Sequence, residues 1–417
     1  MKKSNNSQVE LMSPAGSFDS LMAALQAGAN SVYFGVGRLN MRSRSSSNFD
    51  VDDLQKITRI CREENVNTYL TLNTIVFDNE IEEIRQIVDK AKQAGISAII
   101  ASDPSVMEYA RHQNVPVHIS TQCNITNIES VRFWSKYGDV MVIARELTLK
   151  QVSEIVSQIE KQKITGPSGE LVNVEIFAHG ALCMAVSGKC YLSLDNMNYS
   201  ANRGACLQLC RRSYLVTDKE EGFELEIDNE YIMSPKDLCT IGFLDKIIKA
   251  GVKVLKIEGR GRSADYVKTV TQCYKEALTA ISDGSYSEKK IEIWNERLKS
   301  VFNRGFWDGY YLGRKLGEWT ERYGSQATRK KVYVGKVTNY FSKLQVAEVT
   351  MESYDLSLND SLLIIGPTTG VVEFDAEEIR VDLKPVKSTK KGEVCSIPVP
   401  KLVRRGDKVY KLIESGE

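Results

Sequence analysis

From residue 9 to about residue 260, short β-branched apolar runs alternate with amphipathic stretches. Strand-length runs occur at Val9–Met12, Ser31–Gly35, Thr68–Asn73, Ser97–Ala101, Val117–Ser120, Val140–Ile143, Val174–Phe177 and Val252–Ile257. Between them apolar residues return at helical spacing, as Leu21 and Leu25 do, or Ile81, Ile84, Ile87 and Val88. Ser17 or Asp19, and Asp50, stand where helix N-caps belong, and Gly28 and Gly95 where helices stop. Eight strands alternating with helices predict a parallel sheet. Repeated over this length, the pattern fits a closed (β/α) TIM-like barrel better than an open doubly wound sheet. The turn after the first strand, Ser13-Pro14-Ala15-Gly16, is also not the Gly-x-Gly-x-x-Gly of a dinucleotide-binding unit.

The texture then changes twice. Ala264 to Asn303 is helical, with Tyr266, Val267, Val270, Tyr274 and Leu278 on one face. Gly305 to Gly317 is rich in glycine and aromatics, and Arg329-Lys330-Lys331 leads into short alternating strands. Asn359-Asp360, Gly366-Pro367, Gly392 and Gly406-Asp407 punctuate these, which predicts a small all-β barrel. The expected organisation is a (β/α) barrel domain over 9–330, with a Cys-rich insertion at 183–239 between its last two strands and outer helices at 264–303, then a β-barrel domain over 332–417.

Charge narrows the partners. The chain has 55 Lys and Arg against 54 Asp and Glu, so bulk charge cannot bind nucleic acid and local patches would have to. Apolar runs are strand-sized and no signal core follows Met1, so a cytoplasmic location is expected. Nine cysteines in such a chain argue against a disulfide framework. Five of them, Cys183, Cys190, Cys206, Cys210 and Cys239, fall close together. Two nearby pairs in a Gly-rich stretch can bring four thiolates around one centre. The wide Cys183–Cys190 spacing suits an iron–sulfur cluster better than zinc, and inert or redox thiols remain open on spacing alone.

Barrel chemistry sits at strand C-termini. The polar residues there are Asn73, Asp103, Ser120-Thr121-Gln122, Arg145-Glu146, His179 and Glu258-Gly259-Arg260. As a ring they would make a mixed-charge pocket for a small anionic or hydroxylated ligand, with Arg145 and Arg260 the natural carboxylate binders. His179, Arg145, Glu258 and Arg260 are the catalytic candidates; Asn73, Gln122 and Lys256 are the substrate-binding ones.

Glu175 to Ser193 resembles the signature of peptidase family U-32, the collagenase-like peptidases, with every fixed position filled. Similar family features are Leu11–Gly16, Val32–Gly35, Val117–Gln122, Ser234–Leu238 and Lys256–Arg260. The resemblance covers nearly all of residues 9–417, and the tail resembles the family's C-terminal domain, itself like a barrel of translation elongation factors. Length and tail are most similar to the family's tRNA-hydroxylating branch. That implies oxygen-independent conversion of wobble uridine to 5-hydroxyuridine, with prephenate as hydroxyl donor. Sister branches act on ribosomal RNA or on the ubiquinone ring, the latter as paired subunits, so a paralogous partner subunit is a further expectation. The resemblance also implies a 4Fe–4S cluster on Cys183, Cys190 and Cys206. For the fourth ligand it favours Cys239, with Cys210 in reserve. tRNA would be gripped by local basic groups: Arg203, Arg211 and Arg212; Arg329-Lys330-Lys331; and Lys384, Lys387, Lys390 and Lys391. The rival expectations are peptidase activity, as the family name says, and a non-catalytic RNA- or protein-binding module. The chain carries neither His-Glu-x-x-His nor Gly-x-Ser-x-Gly, and has three histidines, His112, His118 and His179.

Overall fold

The computed structural model describes residues 9–44, 48–214, 220, 233–313, 317–321 and 323–415, so the Cys-rich insertion expected at 183–239 lies partly outside the described residues. The first sheet contains β1 (Glu10–Pro14), β2 (Ser31–Phe34), β3 (Asn67–Leu72), β4 (Ala98–Ala101), β5 (Val117–Ile119), β6 (Val140–Val142), β7 (Asn173–Gly180), β8 (Asp237–Cys239), β9 (Val254–Ile257) and β10 (Phe306–Trp307). Strands β1 to β7 pair in parallel with their neighbours, and β9 pairs in parallel with both β7 and β1. That closes an eight-stranded parallel barrel, as the alternation predicts. Strand β8 runs antiparallel to the end of β7, pairing Cys239 with His179, and β10 adds to β8. Neither short strand is signalled in the sequence.

The crossovers are α1 (Phe18–Gln26), α2 (Leu54–Glu63), α3 (Ile81–Ala94), α4 (Pro104–His112), α5 (Ile128–Trp134) and α6 (Leu149–Gln162). After the insertion's α7 (Leu192–Met197) come α8 (Leu244–Lys249), α9 (Ala264–Ser282) and α10 (Glu288–Lys299). Ser17 caps α1 by accepting the Ser20 N–H, and Gly95 ends α3 in the left-handed conformation. Asp50 instead heads a short 3₁₀ turn, and α2 starts at Leu54. On α2, Leu54, Ile57 and Cys61 turn inward. A fully buried side chain such as Ile57 contributes about 1.5–3 kcal/mol. The main core lies between strands and helices, while Met12, Tyr33, Tyr69, Ile100 and Val254 form a second cluster.

The second unit is an antiparallel sheet of β11 (Arg329–Phe341), β12 (Val346–Met351), β13 (Ser361–Gly366), β14 (Gly370–Asp375), β15 (Arg380–Val381), β16 (Lys384–Pro385), β17 (Val394–Pro398) and β18 (Lys408–Glu414). Its ladder runs from β14 to β16 around Val337, Val349, Leu362, Ile364, Ile397 and Val409. Strand β11 already opens within the basic run. Gln26 of α1 ties this unit to the barrel by donating to the Thr369 carbonyl at 2.7 Å and accepting the Val371 N–H at 3.0 Å. Leu363, Ile365 and Val371 join the main core.

Candidate functional site

A cavity of about 200 Å³ opens at the C-terminal ends of the barrel strands. Loops after β2, β3, β5, β6, β7 and β9 supply one wall, and the Cys-rich insertion closes over the other. Two glycines let the segments meet. Gly180 ends β7 at φ +106, where a Cβ would lie 2.4 Å from the Glu258 carbonyl oxygen. Gly204 holds φ +76 in the insertion, with its would-be Cβ 2.2 Å from the Asn40 carbonyl oxygen. Arg203, beside it, reaches across to the buried Glu80 at 2.5 Å and to the Ile75 carbonyl, clamping the insertion to the loop after β3. The Arg203 guanidinium holds the Glu80 carboxyl below its usual range.

Asn73, Gln122, Arg145, Lys256, Glu258 and Arg260 all line this cavity. Glu258 accepts from Arg42 at 2.8 Å and from the Tyr33 hydroxyl at 3.1 Å. Burial alone would raise its pKa, but Arg42, Arg260 and Arg145 outweigh that and hold it at about 2. Lys256 pairs with Glu175 inside the barrel at 2.8 Å and stands 4.5 Å over the Tyr33 ring. Arg260 is 4% exposed and donates to Asn40 and Thr71; burial lowers its pKa to about 10. Arg145 lies over the Phe177 ring and donates to the Ala181 carbonyl at 3.3 Å, without an ion pair among the described residues. The Nε atoms of both Arg145 and Arg260 are buried without a hydrogen-bond partner. Two guanidiniums facing one cavity with unused donors make a site for oxyanions. Asn73 and Gln122 extend the polar wall, linked at 3.4 Å and through Ser120.

His179 is not part of this wall, which corrects its expected catalytic place. The register of β7 against β9 shifts between Phe177 and His179, so His179 pairs with Ile257 while Phe177 pairs with the cavity-facing Lys256. That irregularity turns His179 outward, among the rings of Tyr266, Tyr274 and Phe306. It is 2% exposed, and burial, with some help from Arg262, drives its pKa down to about 3. His118 is also buried, against Tyr69, and burial lowers its pKa to about 3. Asp103 caps α4, and Glu146 borders a smaller pocket beside the main one.

Cys183, Cys190, Cys206 and Cys210 all line the cavity. Burial, reinforced by the other three thiols and opposed by Arg211, pushes the Cys210 thiol up to about 11. Cys239 lies elsewhere, in the packing beneath the barrel's outer helices. There burial pushes its thiol up to about 11, close to Tyr274, whose hydroxyl donates to the Ala178 carbonyl at 2.8 Å. The geometry thus groups Cys210, the reserve, with Cys183, Cys190 and Cys206 around the cavity and leaves Cys239, the expected fourth ligand, outside its lining. Among the described residues no three His, Cys, Asp or Glu side chains are close enough to hold a single metal ion. Four thiols around one cavity, with Arg211, Arg304 and Arg42 also lining it, fit a larger anionic cluster.

Sequence reasoning did not single out Tyr33, Arg42 or Glu175. Arg42 follows a strand C-terminus, a position that could have flagged it. Glu175, a carboxylate within an apolar strand and in step with Phe177, was the sign of a charged barrel interior. Lys387, Lys390 and Lys391 are exposed on the second unit and do not line the cavity. Arg329 and Lys331 are engaged with Glu373 and Asp265, and Arg211 donates to the Leu182 and Pro235 carbonyls.

The model of peptidase family U32 matches residues 16–321. The chain belongs to this family. It is 56% identical over 407 residues to the "Collagenase" of Porphyromonas gingivalis strain W83, covering 98% of each chain. It is 30% identical over 366 residues to the "tRNA hydroxylation protein P1" of Bacillus subtilis, covering 86% of this chain and 83% of that one. It is also 31% identical to the "23S rRNA 5-hydroxycytidine C2501 synthase" of Escherichia coli, over 75% of this chain and 46% of that protein. No helix among the described residues is long and apolar enough to cross a membrane.

Proposed function

We propose that this U32 protein is an RNA-modifying hydroxylase, acting on the wobble uridine of tRNA to form 5-hydroxyuridine with prephenate as hydroxyl donor. The observation that carries the reading is the pairing, in one cavity, of four cysteines with Arg145 and Arg260, whose buried Nε donors are unused. Prephenate carries two carboxylates, and two guanidiniums with spare N–H groups match them. Lys256 and Glu258 keep the cavity polar, and Asn73 and Gln122 can bind hydroxyl or carbonyl oxygens. Cys183, Cys190, Cys206 and Cys210 would hold a 4Fe–4S cluster, which would supply a redox-active centre beside the donor. Relatives named for tRNA and rRNA hydroxylation support this class of chemistry.

The peptidase reading is favoured by one observation, the full-length 56% identity to a protein named collagenase. The cavity does not support it. Among the described residues its lining holds one carboxylate, Glu258, kept ionised by arginines, and includes neither His118 nor His179. A hydrolytic nucleophile there would have only a weak base, because the arginines that hold Glu258 ionised also lower its proton affinity. Deleting the gene separates the two readings. Loss of 5-hydroxyuridine-derived nucleosides from tRNA digests is the expected result; unchanged tRNA together with lost gelatin cleavage would overturn the proposal. Within the cluster assignment, Cys210→Ala should lose bound iron. Iron retained in Cys210→Ala but lost in Cys239→Ala would return the fourth position to Cys239.

A further inference from the structure

Beside the main cavity lies a smaller pocket of different character, and the two share Arg145, Leu182, Cys183 and Ser187. The far side of the small pocket is aromatic: Trp307 of β10, Tyr310 and Trp319. Trp307 and Tyr310 meet edge to face at 5.1 Å, and Trp319 lines the same pocket, its backbone bridged to Pro235, another lining residue. Trp307 is 5% exposed, and its indole N–H is buried without a hydrogen-bond partner. A buried indole donor left unmade costs free energy unless a ligand or water supplies an acceptor.

We propose that this pocket receives the target pyrimidine, stacked against the Trp307, Tyr310 and Trp319 rings with a carbonyl oxygen accepting from Trp307. The proposal rests on the hydroxylase reading. An enzyme acting on a base must take it out of its stack, and aromatic side chains replace that stacking. The shared wall of Arg145 and Cys183 would then set the edge of the ring toward the main cavity, where the donor is held. Aromatic ring area suits a base, whereas the Arg145–Arg260 cavity suits carboxylates, so the two substrates occupy separate sites.

The test uses the full chain with its iron content verified, uridine monophosphate as probe, and the variants Trp319→Leu and Trp307→Phe, the latter keeping the ring and removing the N–H. Uridine monophosphate should quench tryptophan fluorescence saturably in the parent protein. Trp319→Leu should weaken that binding about tenfold, within the range of a lost base stack. Both variants should raise KM for tRNA while leaving KM for prephenate and the iron content unchanged. Uridine monophosphate binding that is indifferent to both substitutions would overturn the proposal. If the parent binds uridine monophosphate through these residues yet hydroxylates no RNA, the hydroxylase reading fails and the base pocket stands.

Discussion

Arg260 and Arg145 show how much a single buried side chain constrains chemistry here. Each is a cation held by neutral partners or an aromatic face, with an Nε donor facing no acceptor. Replacing Arg260 with lysine keeps the charge and removes the planar fork, so KM for a dicarboxylate donor should rise about tenfold or more, the loss expected for one charge-assisted hydrogen bond. Steady-state kinetics at fixed RNA concentration would read this; an unchanged KM would place the donor elsewhere. Glu175 has a structural duty instead. It is fully buried under Lys256, and Glu175→Gln would leave that ammonium without its counter-charge. A loss of about 3–5 kcal/mol in unfolding free energy is expected from chemical denaturation.

At the scale of elements, the eight barrel strands were legible because each is a short apolar run bounded by turn chemistry, and burial on both sides makes that pattern unambiguous. Strands β8 and β10 were not, since two- and three-residue strands have no periodicity to read. The end of β7 misled for a different reason. Sequence marks His179 as a strand-end polar residue, but the register shift after Phe177 that turns it outward is a tertiary property of the β7–β9 ladder. The insertion depends on its clamp. Glu80→Gln should weaken the hold of Arg203, and faster proteolysis within residues 183–212 together with lower iron retention is the expected result. Equal proteolysis rates would assign the clamp no role in closing the cavity.

For the whole molecule, the two buried histidines set an acid limit on stability. Both have pKa values lowered from 6.5 to about 3, so the unfolded chain binds protons that the native state refuses. Their contribution to stability is fully present above about pH 6.5 and falls as the pH drops from there toward 3. Thermal melts from pH 7.5 to 4.5 should show Tm declining through that window, and His179→Phe, if it folds, should flatten the decline. The basic groups expected to grip tRNA were readable as composition but not as surface. Arg203, Arg211, Arg329 and Lys331 turn out to hold the fold together, which leaves exposed, besides Arg212, Lys330 and Lys384, the three lysines Lys387, Lys390 and Lys391. Neutralising those three should reduce the salt dependence of tRNA binding without changing iron content. The most direct test of the account as a whole is to follow the oxygen. Prephenate carrying isotopically labelled hydroxyl oxygen, incubated anaerobically with iron-loaded protein and unmodified tRNA, should yield 5-hydroxyuridine bearing the label. Unlabelled or absent 5-hydroxyuridine, with cleavage of gelatin by the same preparation, would contradict it.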